Sequence, residues 1–222
     1  MDKKIKVASE LSLLFGITLV ALSTSFFAKA SFGISPLLSL PYVLAALLPS
    51  LTYGMWSILF QIALVAALCV VTRRMRMGYI ASFALSALFG VLSDLFLFLF
   101  AFLPDTLPFR ICWFVVGFAL LSVGVAFSLT ARLPLMPFDT FPRDLSVHLK
   151  VRFGTVKTAF DLTTAIIGLV LGFVFLGGLV GIGVGTAVCA LLLGTTINKI
   201  RDALLKRMDF VPWFGVLEKI AK

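Results

Sequence analysis

Gln61, Asp94, Asp161 and Asn198 stand in or at the ends of long apolar runs, where polar side chains are hardest to keep. An ionisable or amide group in hydrocarbon is costly unless paired, so such residues mark substrate, ion or proton routes. Asp94 is the clearest of them. It lies 16 residues beyond Gly78, roughly 24 Å along a helix, and the apolar run continues past it over 95–103. A carboxylate placed there can hold a proton or a cation; a structural hydrogen bond to a neighbouring helix is the alternative. Asp161 sits one helical turn from Lys157, the spacing of an ion pair, and simple pairing is the competing account of it. Asp139 and Arg143 bracket Pro142 in a polar segment, 134–152, and join the candidates for a substrate or ion pathway.

The chemistry that is missing narrows the function. His148 is the sole histidine, which excludes His-based metal centres and most His-dependent hydrolysis. The sequence has no P-loop and no G-x-S-x-G elbow. Neither a catalytic centre, a metal site nor a cofactor is expected. Cys69, Cys112 and Cys189 are far apart within apolar runs and read as small buried residues rather than a disulfide framework.

The elements that must position these groups are membrane helices. The chain has 222 residues, of which 61% are hydrophobic and 13% charged, with mean hydropathy +1.13. A soluble domain is about half apolar and about a quarter charged. Six runs are near the ~20 apolar residues that a spanning helix needs: 9–30, 52–71, 78–103, 108–131, 155–175 and 181–198. The net charge of +9 does not point to nucleic acid, because Lys and Arg sit in short clusters between the runs. With the N-terminus inside, those clusters fall on the inner side, and only Lys29 and Arg110 fall outside. Both termini are therefore expected in the cytoplasm. Lys3, Lys4 and Lys6 followed by an apolar run ending Ala28-Lys29-Ala30 resemble a signal peptide, but the run is long for one and is read as the first span. The tail, 199–222, mixes Lys and Arg with Leu204, Met208, Phe210, Trp213, Phe214 and Leu217, and is expected to lie on the inner membrane surface.

The halves of the chain match. An offset of 101 pairs Gly16 with Gly117, Phe26 with Phe127, Pro36 with Pro137 and Pro41 with Pro142; an offset of 100 pairs Gly54 with Gly154 and Gln61 with Asp161. A stripe of Ser82, Ser86, Gly90 and Asp94 is mirrored by Thr186, Ala190, Gly194 and Asn198. Small residues at four-residue spacing let membrane helices pack closely. The fold class is thus an all-α polytopic membrane protein of about six spans in two repeats, 1–104 and 105–198. Three spans per repeat makes them inverted, an arrangement common in secondary transporters. Each repeat carries a Pro-flanked segment, with a short helix expected near the second proline and Ser39 or Thr140 as its cap. Gln61 and Asp94 are expected to gather near the outer segment, and Asp161 and Asn198 near the inner one.

Phe32-Gly33-Ile34-Ser35-Pro36, the stretch Gly78…Gly90…Asp94, and Gly181-Ile182-Gly183-Val184-Gly185-Thr186…Leu193-Gly194 together resemble the YczE/YyaS/YitT group of bacterial integral membrane proteins, YczE most closely. That resemblance implies a bacterial cytoplasmic membrane and names no substrate. Leu38 stands where many members of the group carry an acidic residue, whereas Asp139 fills the equivalent place in the second repeat. The leading expectation is a small-molecule or ion transporter, in the lipid bilayer, with Asp94, Gln61, Asp161 and Asn198 along its route. A non-transporting subunit for substrate capture or regulation, docking through the basic tail, is the alternative. A lipid-handling protein, suggested by the many phenylalanines, is a weaker one. The small interior leaves a homodimer open.

Overall fold

Local chemistry marks where each apolar run becomes a helix. The structure, a computed structural model, describes residues 5–73, 77–131 and 133–213. Strand β1 (Ile5–Ala8) leads into α1 (Ser9–Ala30), which stops at Ser31, a left-handed residue at φ 55°. Helix α2 (Pro36–Leu47) begins on its first proline, where a missing amide hydrogen is no loss. The Thr52 hydroxyl accepts the Met55 amide at 3.2 Å and so caps α3 (Tyr53–Thr72). Then follow α4 (Met77–Leu99), α5 (Leu107–Thr130), the short α6 (Pro137–Leu149), α7 (Phe153–Leu176), α8 (Val184–Arg207) and strand β2 (Met208–Val211).

Five of these helices, α1, α3, α4 from Gly78, α5 and α7, are long and apolar enough to cross a membrane. Their outward faces carry Val70, Phe98, Val115, Phe173 and Val174, all largely exposed, while Ser23, Thr24, Ser57, Gln61, Ser86, Ser93 and Ser122 are buried between helices. Apolar outside and small or polar inside is the arrangement that lipid selects, because only protein can satisfy polar groups there. The chain is an all-α integral membrane protein.

The expected sixth span differs. After α7 the chain turns back along that helix: a Cβ on Gly172 would meet Gly178 and Val180, and one on Gly168 would meet Ile182. Gly168 lies eight residues before the end of α7, so α8 starts about 12 Å below that end. A helix that begins inside the bundle reaches the opposite face with a shorter apolar stretch. It then continues, without a break, through the charged residues Lys199–Arg207 that sequence assigns to the tail. Beyond it, β2 pairs in parallel with β1, Ile5 against Met208 through Ala8 against Val211. Phe210 is buried edge-on to Phe127, and the Trp213 amide donates to Glu10 Oε2 at 3.0 Å. Phe214 and Leu217 of the expected amphipathic tail lie outside the described residues.

The short helices also differ from expectation. Both start at the first proline, Pro36 or Pro137, and hold the second, Pro41 or Pro142, within the helix. The Ser39 hydroxyl donates backwards to the Pro36 carbonyl at 2.6 Å, and Thr140 donates to the Leu135 carbonyl at 3.1 Å, so neither is an N-cap. Of the cysteines only Cys189 is buried; Cys69 is half-buried and Cys112 exposed.

α1 is the most enclosed helix and packs along α5 and α4. α5 packs on α8, α3 on α4, and the two short helices each bridge α3 and α7. One end of the bundle, the terminal face, carries β1, β2 and α6. The far face carries the ends of α1 and α4 and the start of α3.

Candidate functional site

Helical spacing puts Tyr53, Ser57 and Gln61 of α3 on one face, each four residues from the last. Facing them, α4 presents Ser86, whose hydroxyl meets Gln61, and Gly90, which lies against Gly54; Ser82 and Ser93 are buried near them on the same helix. Two glycines let these faces touch. A Cβ on Gly54 would run into the Gly90 carbonyl and the Asp94 carboxylate, and a Cβ on Gly90 into Ile58 and the Gly54 carbonyl. The seam therefore closes at backbone distance, and its polar side chains are sealed from lipid.

Asp94 closes the far end. One carboxylate oxygen accepts the Thr52 hydroxyl at 2.5 Å and the other the Gly54 amide at 2.7 Å. Below it the stripe is polar and under-bonded. Gln61 is fully buried; its oxygen accepts the Ser86 hydroxyl at 3.0 Å, but its amide nitrogen has no partner among the described residues. The Ser93 hydroxyl is buried and unpartnered as well. The Tyr53 hydroxyl lies among those of Thr24 and Ser57, and neither Tyr53 nor Ser57 completes a well-formed hydrogen bond. Each buried group left without a partner costs about 1–3 kcal/mol. Several together on one seam are a poor way to build a stable bundle.

The stripe runs on to α6. Ser82 and Thr140 both donate to the Leu135 carbonyl, at 2.7 and 3.1 Å, which joins α4 to the start of α6. Asp139, in the first turn of α6, is buried, and burial raises its carboxyl pKa although Lys157 and Arg143 oppose the rise. The Lys157 ammonium lies between two carboxylates, 3.1 Å from Asp161 and 3.9 Å from Asp139. Arg143 turns to its neighbour Asp144 at 2.9 Å, and the Tyr79 hydroxyl donates to the same carboxylate at 3.0 Å.

The sequence candidates thus fall into three places. Asp94 and Gln61 share the α3–α4 seam, with Ser86 and Gly90 packed between them. Asp139 and Asp161 share Lys157 near the terminal face, with Arg143 beside them on α6. Asn198 is exposed on α8, as are Ala190 and Gly194, and Asp161 bonds to Lys157, with no hydrogen bond to Asn198 among the described residues. α7 and α8 form no seam like that of α3 and α4: a Cβ on Gly154 or Gly194 would meet nothing within 4 Å. Tyr53, Ser57, Ser93 and Asp144 were not among the sequence candidates. The four-residue spacing of Tyr53, Ser57 and Gln61 was the available signal.

The two glycine-bearing motifs meet each other. The Ile34 amide donates to the Gly181 carbonyl at 3.0 Å and the Gly185 amide to the Phe32 carbonyl at 2.8 Å. Gly33, at φ 98°, has no room for a side chain between Thr186 and Gly183. The Thr164 hydroxyl of α7 then reaches the Pro36 carbonyl at 3.3 Å, which ties the start of α2 to the middle of α7.

No curated protein and no solved structure matches the chain. A family model does, over residues 7–202, and that range takes in every element from α1 to α7 and most of α8. The chain belongs to a family of unknown function, DUF6198.

Proposed function

We propose that this integral membrane protein is a small-molecule or ion transporter that works by alternating access between two inverted repeats, residues 1–104 and 105–198. The observation that carries this reading is the buried polar stripe between α3 and α4, above all the unpartnered Gln61 amide and Ser93 hydroxyl. Within a bilayer such groups are expensive, and a solute or water passing between the helices is what would satisfy them.

The packing supports two repeats of opposite sense. Exchanging α1 with α5, α2 with α6, α3 with α7 and α4 with α8 turns the α1–α4 contact into α5–α8, α2–α7 into α6–α3, and α2–α3 into α6–α7. Gly16 lies against Gly124 and Ser128, and Gly117, its repeat mate, lies against Ser23 and Phe27. Those are the positions that the offset of 101 exchanges. One pair breaks the pattern: α3 and α4 are locked by Gly54, Gly90 and Asp94, whereas α7 and α8 have parted at Gly154 and Gly194. Two copies of one unit in different conformations are what alternating access requires. The terminal face, rich in Lys and Arg, would face the cytoplasm. In that orientation the seam at the outside is shut and the one at the inside is open. A bacterial plasma membrane, as the YczE-like resemblance suggests, is part of the same proposal.

The test is solute flux. Proteoliposomes are challenged with gradients of small amino acids, monocarboxylates, polyols and monovalent salts while light scattering follows their volume. Solute-specific swelling beyond that of empty liposomes, lost in Gln61→Leu, supports the transporter. No specific swelling with any of these solutes contradicts it.

A further inference from the structure

A second feature lies at the far face, above the seam. A cavity of about 260 Å³ opens between the end of α1, Tyr42 of α2, the end of α4 and the loop before α5, with Ser25, Lys29, Ser31, Tyr42 and Asp105 among its lining residues. Its charges are unequal. Asp105 is already paired, 3.6 Å from Arg110. Lys29 donates only to the Ala101 carbonyl, and no carboxylate lies within pairing distance of it among the described residues. The ammonium keeps two further donors, and a cation half-removed from water without a counter-charge attracts one. The cavity floor is aromatic: Tyr42 stands edge-on to Tyr53 with ring centres 6.0 Å apart. Tyr53 is buried and begins the polar stripe that continues through Ser57 to Gln61.

We propose that this vestibule binds an oxyanion, the carboxylate or phosphate of a small molecule or of a lipid headgroup, on the Lys29 ammonium, with Tyr42 as the lid over the stripe below. The volume suits a molecule of a few heavy atoms or a single headgroup. Only the lid role of Tyr42 rests on the transport reading; the oxyanion site stands without it. Lys29 and Arg110 are the only Lys or Arg that the sequence assigns to this face, and Arg110 is occupied by Asp105. Lys29 is therefore the residue on which anion selectivity depends.

Thermal unfolding of the purified full chain tests the site with lactate and inorganic phosphate in neutral detergent, with chloride at equal ionic strength as reference. A parallel arm uses nanodiscs with and without phosphatidylglycerol. Stabilisation by lactate or phosphate that Lys29→Gln loses and Lys29→Arg keeps assigns a free anion. The same dependence on Lys29 seen only with phosphatidylglycerol assigns a headgroup. An unfolding temperature that none of these anions shifts, or shifts equally in wild type and Lys29→Gln, overturns the site. Lactate swelling of proteoliposomes separates the two proposals: anion binding without flux keeps the vestibule and removes the transporter. Flux that is unaltered in Lys29→Gln, where anion-dependent stabilisation is lost, keeps the transporter and the oxyanion site and removes the lid role of Tyr42.

Discussion

The carboxylate of Asp94 on α4 accepts the backbone amide of Gly54 on α3 at 2.7 Å, at the point where the backbones of Gly54 and Gly90 touch. A side chain and two missing side chains thus do one job, which is to hold the far end of the seam shut. Gly54→Ala puts a methyl into the Gly90 carbonyl and should destabilise the chain by about 1–3 kcal/mol. Asp94→Asn keeps an acceptor for the Gly54 amide, while its NH2 must donate to the Thr52 hydroxyl instead of accepting from it; it should cost less than Asp94→Ala, which strands the buried amide at about 1–3 kcal/mol. Unfolding in a mild detergent, monitored by circular dichroism, orders the three variants. Equal stability of Gly54→Ala and wild type would show that the seam is not closed in this way.

Gln61 separates a structural from a transport role. A glutamine kept for stability should be missed when replaced. One whose amide nitrogen has no partner should not be, since an apolar side chain of similar volume removes the unsatisfied group. Gln61→Leu is expected to change stability by less than about 1 kcal/mol while abolishing solute flux. A large loss of stability would return Gln61 to a packing role.

Lys157 holds Asp139 and Asp161 together, and its own side chain is about a quarter exposed. Lys157→Ala leaves two carboxylates near each other with no cation between them. The expected loss is about 1–3 kcal/mol, below that of a fully buried pair because solvent screens part of it. Combining Lys157→Ala with Asp161→Asn should recover part of that loss. Strict additivity in this double-mutant cycle would mean that the ion pair contributes nothing measurable.

The parted helices α7 and α8 make a conformational prediction. Arg152 and Asn198 are the repeat mates of Thr52 and Asp94. In a chain freed of Cys69, Cys112 and Cys189, Arg152→Cys with Asn198→Cys should cross-link under oxidation when the inner seam closes. The cross-link should stop flux until it is reduced. A pair that never cross-links, in liposomes that do transport, would rule out this closure.

The sequence made the long helices legible because hydropathy and orientation charges act locally. The first span, 9–30, coincides with α1, and the other four long spans shift by only a few residues at most ends. The repeat also placed Pro36 and Pro137 at equivalent elements. What hydropathy did not show depends on three dimensions. Nothing in 181–198 says that the preceding loop folds back along α7 or that the helix runs on to Arg207. Nothing in Ile5–Ala8 or Met208–Val211 says that the two chain ends pair. At the candidate site, charge drew attention to Asp94 and Asp161, while Ser57 and Ser93 read as ordinary membrane serines. A serine in a helix can bond its own backbone, and only the packing shows that these two do not. Repeat logic groups Asn198 with Asp161 only if both repeats share one conformation.

The central claim, that the α3–α4 seam is a route for polar molecules, is tested most directly by thiol labelling. In the cysteine-free chain, reconstituted in liposomes, Ser57→Cys and Ser93→Cys are treated with a small, water-soluble, membrane-impermeant methanethiosulfonate; Thr106→Cys is the surface control. The account predicts that both seam cysteines react, more slowly than the control, as the seam opens and closes. Reaction of Thr106→Cys alone, with Ser57→Cys and Ser93→Cys protected indefinitely from both sides of the membrane, would contradict it.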